Sequence, residues 1–358
     1  MPEKKRILII NPFGIGDVLF STPLIRNLRF YFPDAFIAVA VQKRILPVLE
    51  NNPYINKIIP FSRGDFKKLS RKSKIRALRM LFGVINQVRR QRFNLYFDLS
   101  LEHRYSLLLK LFGVKPRIGY NYKKRGRFLT DRIDILGYKD KHVAEYHLEL
   151  LKFLTLKPRF TNIDLFLSQE QKDWAGNFLK QEGVNRGDLL VGIAPFGGET
   201  FGKQAEIKHW PIEKYAQICD LLIDRLKAKV IILAGPKEEI LLGRLFSFMR
   251  NKAISAAQTS IIQLASIVDR CKLIISNDTG PLRFANALGI PTISLFGPVD
   301  EKVYGPYPSS VRNVVLKKDF DCRPCYQYFR TPDCQYQLRC LAQISTEEVF
   351  QAAERLLE

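Results

Sequence analysis

Acidic residues are scarce in the first half of this 358-residue chain: residues 1–160 hold 12 Asp and Glu against 33 Lys and Arg, whereas residues 161–358 hold 23 against 24. Almost all of the net charge of +22 therefore sits in one half. A field so one-sided points to an anionic partner, nucleic acid or the phosphate-rich surface of a membrane, rather than to a merely soluble basic face. It is densest at 63–92, where eleven basic side chains, among them Arg63, Lys67, Lys68, Arg71, Lys72 and Lys74, face one acid, Asp65; Lys123 to Arg127 form a second cluster. Long apolar runs are missing too. No eighteen successive apolar residues occur, which excludes a membrane-spanning helix. The basic start MPEKKRILII leads into a short apolar run and a glycine loop, unlike a signal peptide. Low-complexity tracts are absent, and an apolar fraction of 46% excludes disorder. Without a zinc finger, a ribonucleoprotein aromatic motif or a helix-turn-helix signal, nucleic acid is the weaker partner. The protein is expected in the cytoplasm.

What is present is alternation of strand and helix. Strands are expected at about 6–11, 36–41, 56–60, 94–99 and 116–120, with helices between them, the longest over 68–91. The pattern recurs at 190–196, 229–234, 272–277 and 291–296, after a linker at KPRFTNIDLFLS. This predicts an α/β protein of two doubly wound, Rossmann-like domains, 1–165 and 166–344. A terminal helix over 345–358 is marked by Ser345 and Glu348 at capping-box spacing.

Three segments carry chemistry. In LIISNDTGPLRFANALG, residues 273–289, a buried strand breaks into a turn and then a helix: Asp278 and Thr279 are N-cap types, Gly280 turns the chain and Pro281 fits the first helical position. Such a helix start presents N–H groups and a positive dipole end to a phosphate, or is an ordinary helix start. In RILIINPFGIGDVLFSTPLIRNLRFYFP, residues 6–33, the strand and glycine loop lack the dinucleotide fingerprint, whose third glycine falls on Leu19. Asp17 is the only ionisable side chain between that strand and Arg26, at the edge where open α/β sheets bind ligands. It could equally cap the helix that follows. The third segment is IKHWP, 207–211, whose Lys208 and Trp210 are either functional or a solvated charge and a core aromatic.

In order and spacing these segments, with L-F-G-P at Leu295 to Pro298 and G-P-Y at Gly305 to Tyr307, resemble glycosyltransferase family 9, the ADP-heptose:lipopolysaccharide heptosyltransferases. The resemblance runs along almost the whole chain. It implies a GT-B arrangement, two domains facing across a cleft, with the terminal helix packing back on the first domain. It implies an ADP-heptose donor and the acidic inner core of a lipopolysaccharide precursor as acceptor, with peripheral contact to the inner face of the cytoplasmic membrane.

Sugar transfer from a nucleotide diphosphate needs a base for the acceptor hydroxyl and stabilisation of the leaving diphosphate. Asp17 is the candidate base, and attack from the face opposite the diphosphate inverts the anomeric centre. Lys208 and the N–H groups around Thr279 and Gly280 would meet the diphosphate, with Thr200 a weaker candidate. By resemblance Asp278 holds donor-sugar hydroxyls. Glu238 or Glu239 could accept from the ribose or adenine, or complement a helix dipole. Arg104, Arg117, Lys123 and Arg125 are candidate acceptor contacts, or plain surface charges. No D-x-D pair is read at a strand end in the sequence, so no catalytic metal is expected. The chain departs from the family at Arg283, where a His is usual: an Arg cannot exchange a proton near neutrality but can still bind phosphate or sugar.

Cys219 and Cys271 sit in apolar surroundings and read as core residues. Cys322, Cys325, Cys334 and Cys340 are spaced C-x2-C-x8-C-x5-C, which in a cytoplasmic chain means either a structural zinc with four thiolates or four reduced thiols. Two rival readings are a non-catalytic sugar-nucleotide binder, told apart by donor binding without turnover, and a nucleic-acid-binding protein, told apart by salt-sensitive RNA binding.

Overall fold

A computed structural model describes residues 4–61, 73–197 and 205–358. The chain divides into two compact units, Met1–Tyr138 with Val143–Asp164, and Lys139–His142 with Leu165–Glu358.

In the first unit, runs such as Ile7–Ile10 and Ile37–Val41 are apolar at every position, so their strands must be covered on both faces. They form a parallel six-stranded sheet of β1 (Arg6–Asn11), β2 (Phe36–Gln42), β3 (Lys57–Phe61), β4 (Leu95–Asp98), β5 (Arg117–Tyr122) and β6 (Asp131–Ile135), ordered β3-β2-β1-β4-β5-β6. Parallel neighbours need crossovers, which helices supply here except between β5 and β6, joined by the turns of residues 123–130. The longer ones are α1 (Ile15–Leu19), α2 (Thr22–Tyr31), α3 (Lys74–Arg90), α4 (His103–Leu111) and α5 (Val143–Glu149). The helix expected over 68–91 is α3; residues 62–72, with much of the first basic cluster, lie outside the described residues.

The second unit repeats the order. Its strands β7 (Leu190–Ala194), β8 (Lys229–Ile232), β9 (Ile254–Ser255), β10 (Leu273–Asn277), β11 (Thr292–Phe296) and β12 (Asn313–Lys317) lie β12-β11-β10-β7-β8-β9, all parallel. Among its helices are α6 (Gln169–Gln181), α7 (Ile212–Leu226), α8 (Glu239–Phe248), α9 (Ile261–Val268), α10 (Gly280–Leu288) and α11 (Thr346–Leu357). Both sheets thus have the strand order of doubly wound Rossmann-like domains. In each, the order reverses between two central strands, β1 and β4 or β7 and β10, and loops leaving such a pair in opposite directions open a crevice at the carboxyl ends.

Three strands were not anticipated. β6 (DRIDI) is an edge strand without a continuous apolar run, β12 is an edge strand with only Val314, Val315 and Leu316 between polar residues, and β9 has two residues. Finding β12 corrects one expectation, because Asp319-Phe320-Asp321 is a D-x-D pair just beyond a strand end. Asp319 is 85% exposed and pairs with Lys317 at 3.3 Å.

The terminal helix α11 opens at the spacing read in the sequence. Ser345 and Glu348 close a reciprocal capping box, Ser345 Oγ accepting from the Glu348 N–H at 3.2 Å and the Glu348 carboxylate from the Ser345 N–H at 2.8 Å. The helix then buries Val349, Phe350, Ala352 and Ala353 in the core of the second unit, beside residues of α7, β10 and β11. Its apolar face is satisfied within the unit that carries it. Among the described residues no helix is long and apolar enough to cross a membrane.

Candidate active site

The carboxyl ends of β7 and β10 are tied together by Asn277, fully buried at the last position of β10. Its side-chain amide donates to the Pro195 carbonyl at 2.7 Å, and its Oδ1 accepts the Trp210 N–H at 3.2 Å. Three chain segments are held by one residue. Beside it, Thr279 is the N-cap of α10, with its hydroxyl turned to Ser276 Oγ at 3.0 Å rather than onto the first helical turn. Gly197 packs against the Thr279 methyl with φ of +104°, and a Cβ there would come within 2.9 Å of that methyl. His209 Nε2 meets the Gly197 carbonyl at 2.9 Å.

Within this frame sits a buried charged cluster. Lys208, 7% exposed at the end of a single turn over 205–208, places its ammonium 2.5 Å from Asp278 Oδ2. Arg283, 4% exposed, closes its guanidinium on Asp278 Oδ1 and donates from Nη1 to the Gly305 carbonyl at 3.1 Å. Burial alone would raise the Asp278 pKa, but the Lys208 and Arg283 cations outweigh it and hold the carboxyl below its usual range. Two cations meet one carboxylate at the opening of a nine-residue helix, an arrangement suited to an anion. Trp210 fills the core of the second unit, its indole N–H donating to the Ile344 carbonyl at 3.0 Å, so the aromatic of the IKHWP run is structural.

At the matching edge of the first sheet, Asp17 lies in α1, half-buried, and its Oδ2 accepts the Gly14 N–H at 3.2 Å, so it does complement its own helix start. Asn11, the last residue of β1, donates to the Asp17 carbonyl at 2.8 Å and fixes the loop. A second carboxylate escaped the sequence reading. Asp98 ends β4, paired in register with Ile10, and burial raises its pKa to about 6 against hydrogen bonds from Ser100 that lower it. A strand-final Asp in an apolar run was the available signal. Gly119 makes room for it, since a Cβ there would lie 2.6 Å from the Asp98 carbonyl oxygen.

The remaining candidates separate. Glu238 follows β8 and accepts the Gly235 N–H at 2.7 Å; Glu239 meets Gln258. Thr200 lies outside the described residues. Arg104 is exposed on α4; Lys123 stands over the Tyr122 ring at 5.1 Å, and Arg125 pairs with Glu102 at 3.0 Å. Arg117 is enclosed by backbone rather than lying on the surface. It is 5% exposed, its guanidinium donates to the Phe128 and Val114 carbonyls at 2.7 and 2.6 Å, and burial lowers its pKa. It ties the segment before β5 to the turn after it.

Cys219 and Cys271 are core residues, both pushed above the ordinary thiol range by burial. The other four cysteines line one cavity of about 330 Å³ with Pro298 and Arg339. Burial, then the neighbouring Cys322, Cys340 and Cys334 thiols, push Cys325 up to about 11. Among the described residues no three or more His, Cys, Asp or Glu side chains are gathered so as to hold a metal ion.

The sequence pattern of glycosyltransferase family 9 (heptosyltransferase) matches residues 81–334, and the chain belongs to that family of enzymes. It is 24% identical to lipopolysaccharide heptosyltransferase 3 of Escherichia coli over 96% of this chain and 95% of that protein. It is 27% identical to lipooligosaccharide heptosyltransferase 2 of Haemophilus ducreyi over 87% and 88% of the two chains. Among solved structures, a family 9 glycosyltransferase from Veillonella parvula shares the fold with a TM-score of 0.80 at 24% identity, covering 100% of this chain and 98% of that one. The E. coli heptosyltransferase WaaC with ADP superposes with a TM-score of 0.73 at 19% identity, covering 98% and 99%.

Proposed function

We propose that this glycosyltransferase moves a heptose, with inversion at the anomeric carbon and without a catalytic metal, from ADP-heptose to the inner core of a lipopolysaccharide precursor. The observation that carries this reading is the buried Lys208, Asp278 and Arg283 cluster at the opening of α10 and at the switch point of the second sheet. The donor is supported by the solved WaaC structures, one with ADP and one with ADP-2-deoxy-2-fluoro heptose, and the acceptor class by the names of the lipopolysaccharide relatives.

In this reading, residues 1–165 bind the acceptor and 166–344 the donor. Asp17 takes the proton of the acceptor hydroxyl, whose oxygen attacks the anomeric carbon. The bond from that carbon to the diphosphate breaks, and ADP leaves with the electron pair. Lys208 and the N–H groups at Thr279 and Gly280 meet the growing charge, electrostatic work that requires no metal. Asp278 accepts from hydroxyls of the heptose, and Glu238 from the ribose or adenine. Arg104, Lys123 and Arg125 contact carboxylates and phosphates of the acceptor. The basic first half draws the enzyme to the anionic inner face of the cytoplasmic membrane. The four clustered cysteines take no part in transfer.

The test is thermal stabilisation by a panel of nucleotide sugars, followed by turnover of the wild type and Asp17→Ala. ADP-heptose is expected to stabilise both proteins, while Asp17→Ala loses about 100-fold or more in kcat, the contribution of a general base. Normal transfer by Asp17→Ala would remove the base from the scheme, and a donor other than ADP-heptose would redirect the substrate.

A further inference from the structure

Asp278 has two oxygens and two cationic partners, and those partners are differently attached. Arg283 lies five residues along the same turn and helix, so its reach to Asp278 is local; Lys208 comes from a segment 70 residues away. Arg283 is also braced at a second point, the Gly305 carbonyl. That carbonyl is shared with His142 Nε2 at 3.2 Å, and the His142 ring stacks on Tyr307 with centroids 4.3 Å apart.

We propose that Arg283 is a positioning residue, which keeps Asp278 paired and oriented while the Lys208 ammonium turns from it to the diphosphate of the donor. This role rests on the donor site proposed above. A buried carboxylate stripped of a sole cation becomes an uncompensated charge, and that penalty would be subtracted from donor binding. A second cation that stays in place removes the penalty. A guanidinium does so at every accessible pH, whereas an imidazole in its place is charged only below about pH 6.5. Charged and titratable groups that bear on this position include Asp278 in the turn before α10, Lys208 before α7, and His142 and Tyr307 around the shared carbonyl.

The experiment measures donor KM and kcat from pH 6 to 9 for the wild type, Arg283→His, Arg283→Lys and Arg283→Met, with a melting curve for each. The wild-type donor KM is expected to stay flat over this range. In Arg283→His it lies near the wild-type value at pH 6 and rises about tenfold or more by pH 8, as the imidazole loses its proton. Arg283→Met raises it roughly 30-fold or more at every pH. Arg283→Lys keeps the charge without the fork, so its KM is raised but flat. If Arg283→Met fails to fold, the contrast between His and Lys carries the test. An Arg283→His enzyme with the flat profile of the wild type overturns the role. A wild type that neither binds ADP nor transfers heptose overturns the proposed function instead.

Discussion

Asn277 spans 82 residues of sequence to donate to the Pro195 carbonyl, and its other amide atom accepts the Trp210 N–H. The loop after β7, the end of β10 and the segment carrying Lys208 therefore depend on one side chain. Asn277→Ala leaves a buried carbonyl and a buried N–H without partners, which is expected to cost about 3 kcal/mol. Urea denaturation measures that loss, and donor titration should show weaker binding, because Lys208 and Asp278 lose their common support.

Gly197 is expected to be as sensitive for a different reason. Its left-handed backbone and the Thr279 methyl leave no room for a Cβ. Gly197→Ala must either shift the loop or strain it, at about 1–3 kcal/mol. Gly197→Ala melting at the wild-type temperature and binding donor normally would show that the close approach does not matter.

Two buried groups of the first unit titrate in opposite directions. Burial lowers the His147 pKa to about 4, although its hydrogen bond to the Phe20 carbonyl opposes this. The unfolded chain therefore binds the extra proton between about pH 6.5 and 4, and this group's stabilisation, present at neutral pH, is lost on acidification. Asp98, raised to about 6, does the reverse: the folded state binds the extra proton, so its contribution is greatest in acid and is lost as pH rises from about 4 through 6. The two slopes offset each other between pH 4 and 6. Asp98→Asn leaves His147 unopposed, and its unfolding free energy should rise by about 1.4 kcal/mol per pH unit there relative to the wild type. A variant with the wild-type slope would refute the pair.

The docking of α11 makes the stability of the second unit depend on the end of the chain. Phe350→Ala is expected to cost about 3–5 kcal/mol and Ser345→Ala about 1 kcal/mol. Hydrogen exchange should locate the loss in α7, β10 and β11. Exchange confined to the first unit would contradict the packing described above.

Much of this protein was legible in the chain itself, because strand, turn and helix start are local chemistry. The buried run at Leu273–Asn277 followed by D-T-G-P folds as its residue types dictate, with Thr279 as N-cap, Gly280 opening the helix and Pro281 accepted in its first turn, at the second helical position. The alternation of such units required two parallel sheets. The edge strand β6 stayed hidden because one-sided burial erases the apolar run by which a strand is read, and β12 because its apolar run is only three residues long. Arg117 read as a surface cation, since nothing in its neighbours reveals that the Val114 and Phe128 carbonyls enclose it.

The residues that could carry charge or a proton were thus determined by the sequence; their partners were decided by tertiary structure alone. Asp278 and Lys208 are 70 positions apart and Asn277 and Pro195 are 82 apart, distances over which no periodicity or cap signal extends. Whether Asp278 is a lone acid or the centre of a buried ion cluster depends on which loops the sheet order brings to one edge. That is a property of the folded sheet, and it is why Arg283, a departure from the family pattern in the sequence, became a structural partner only in three dimensions.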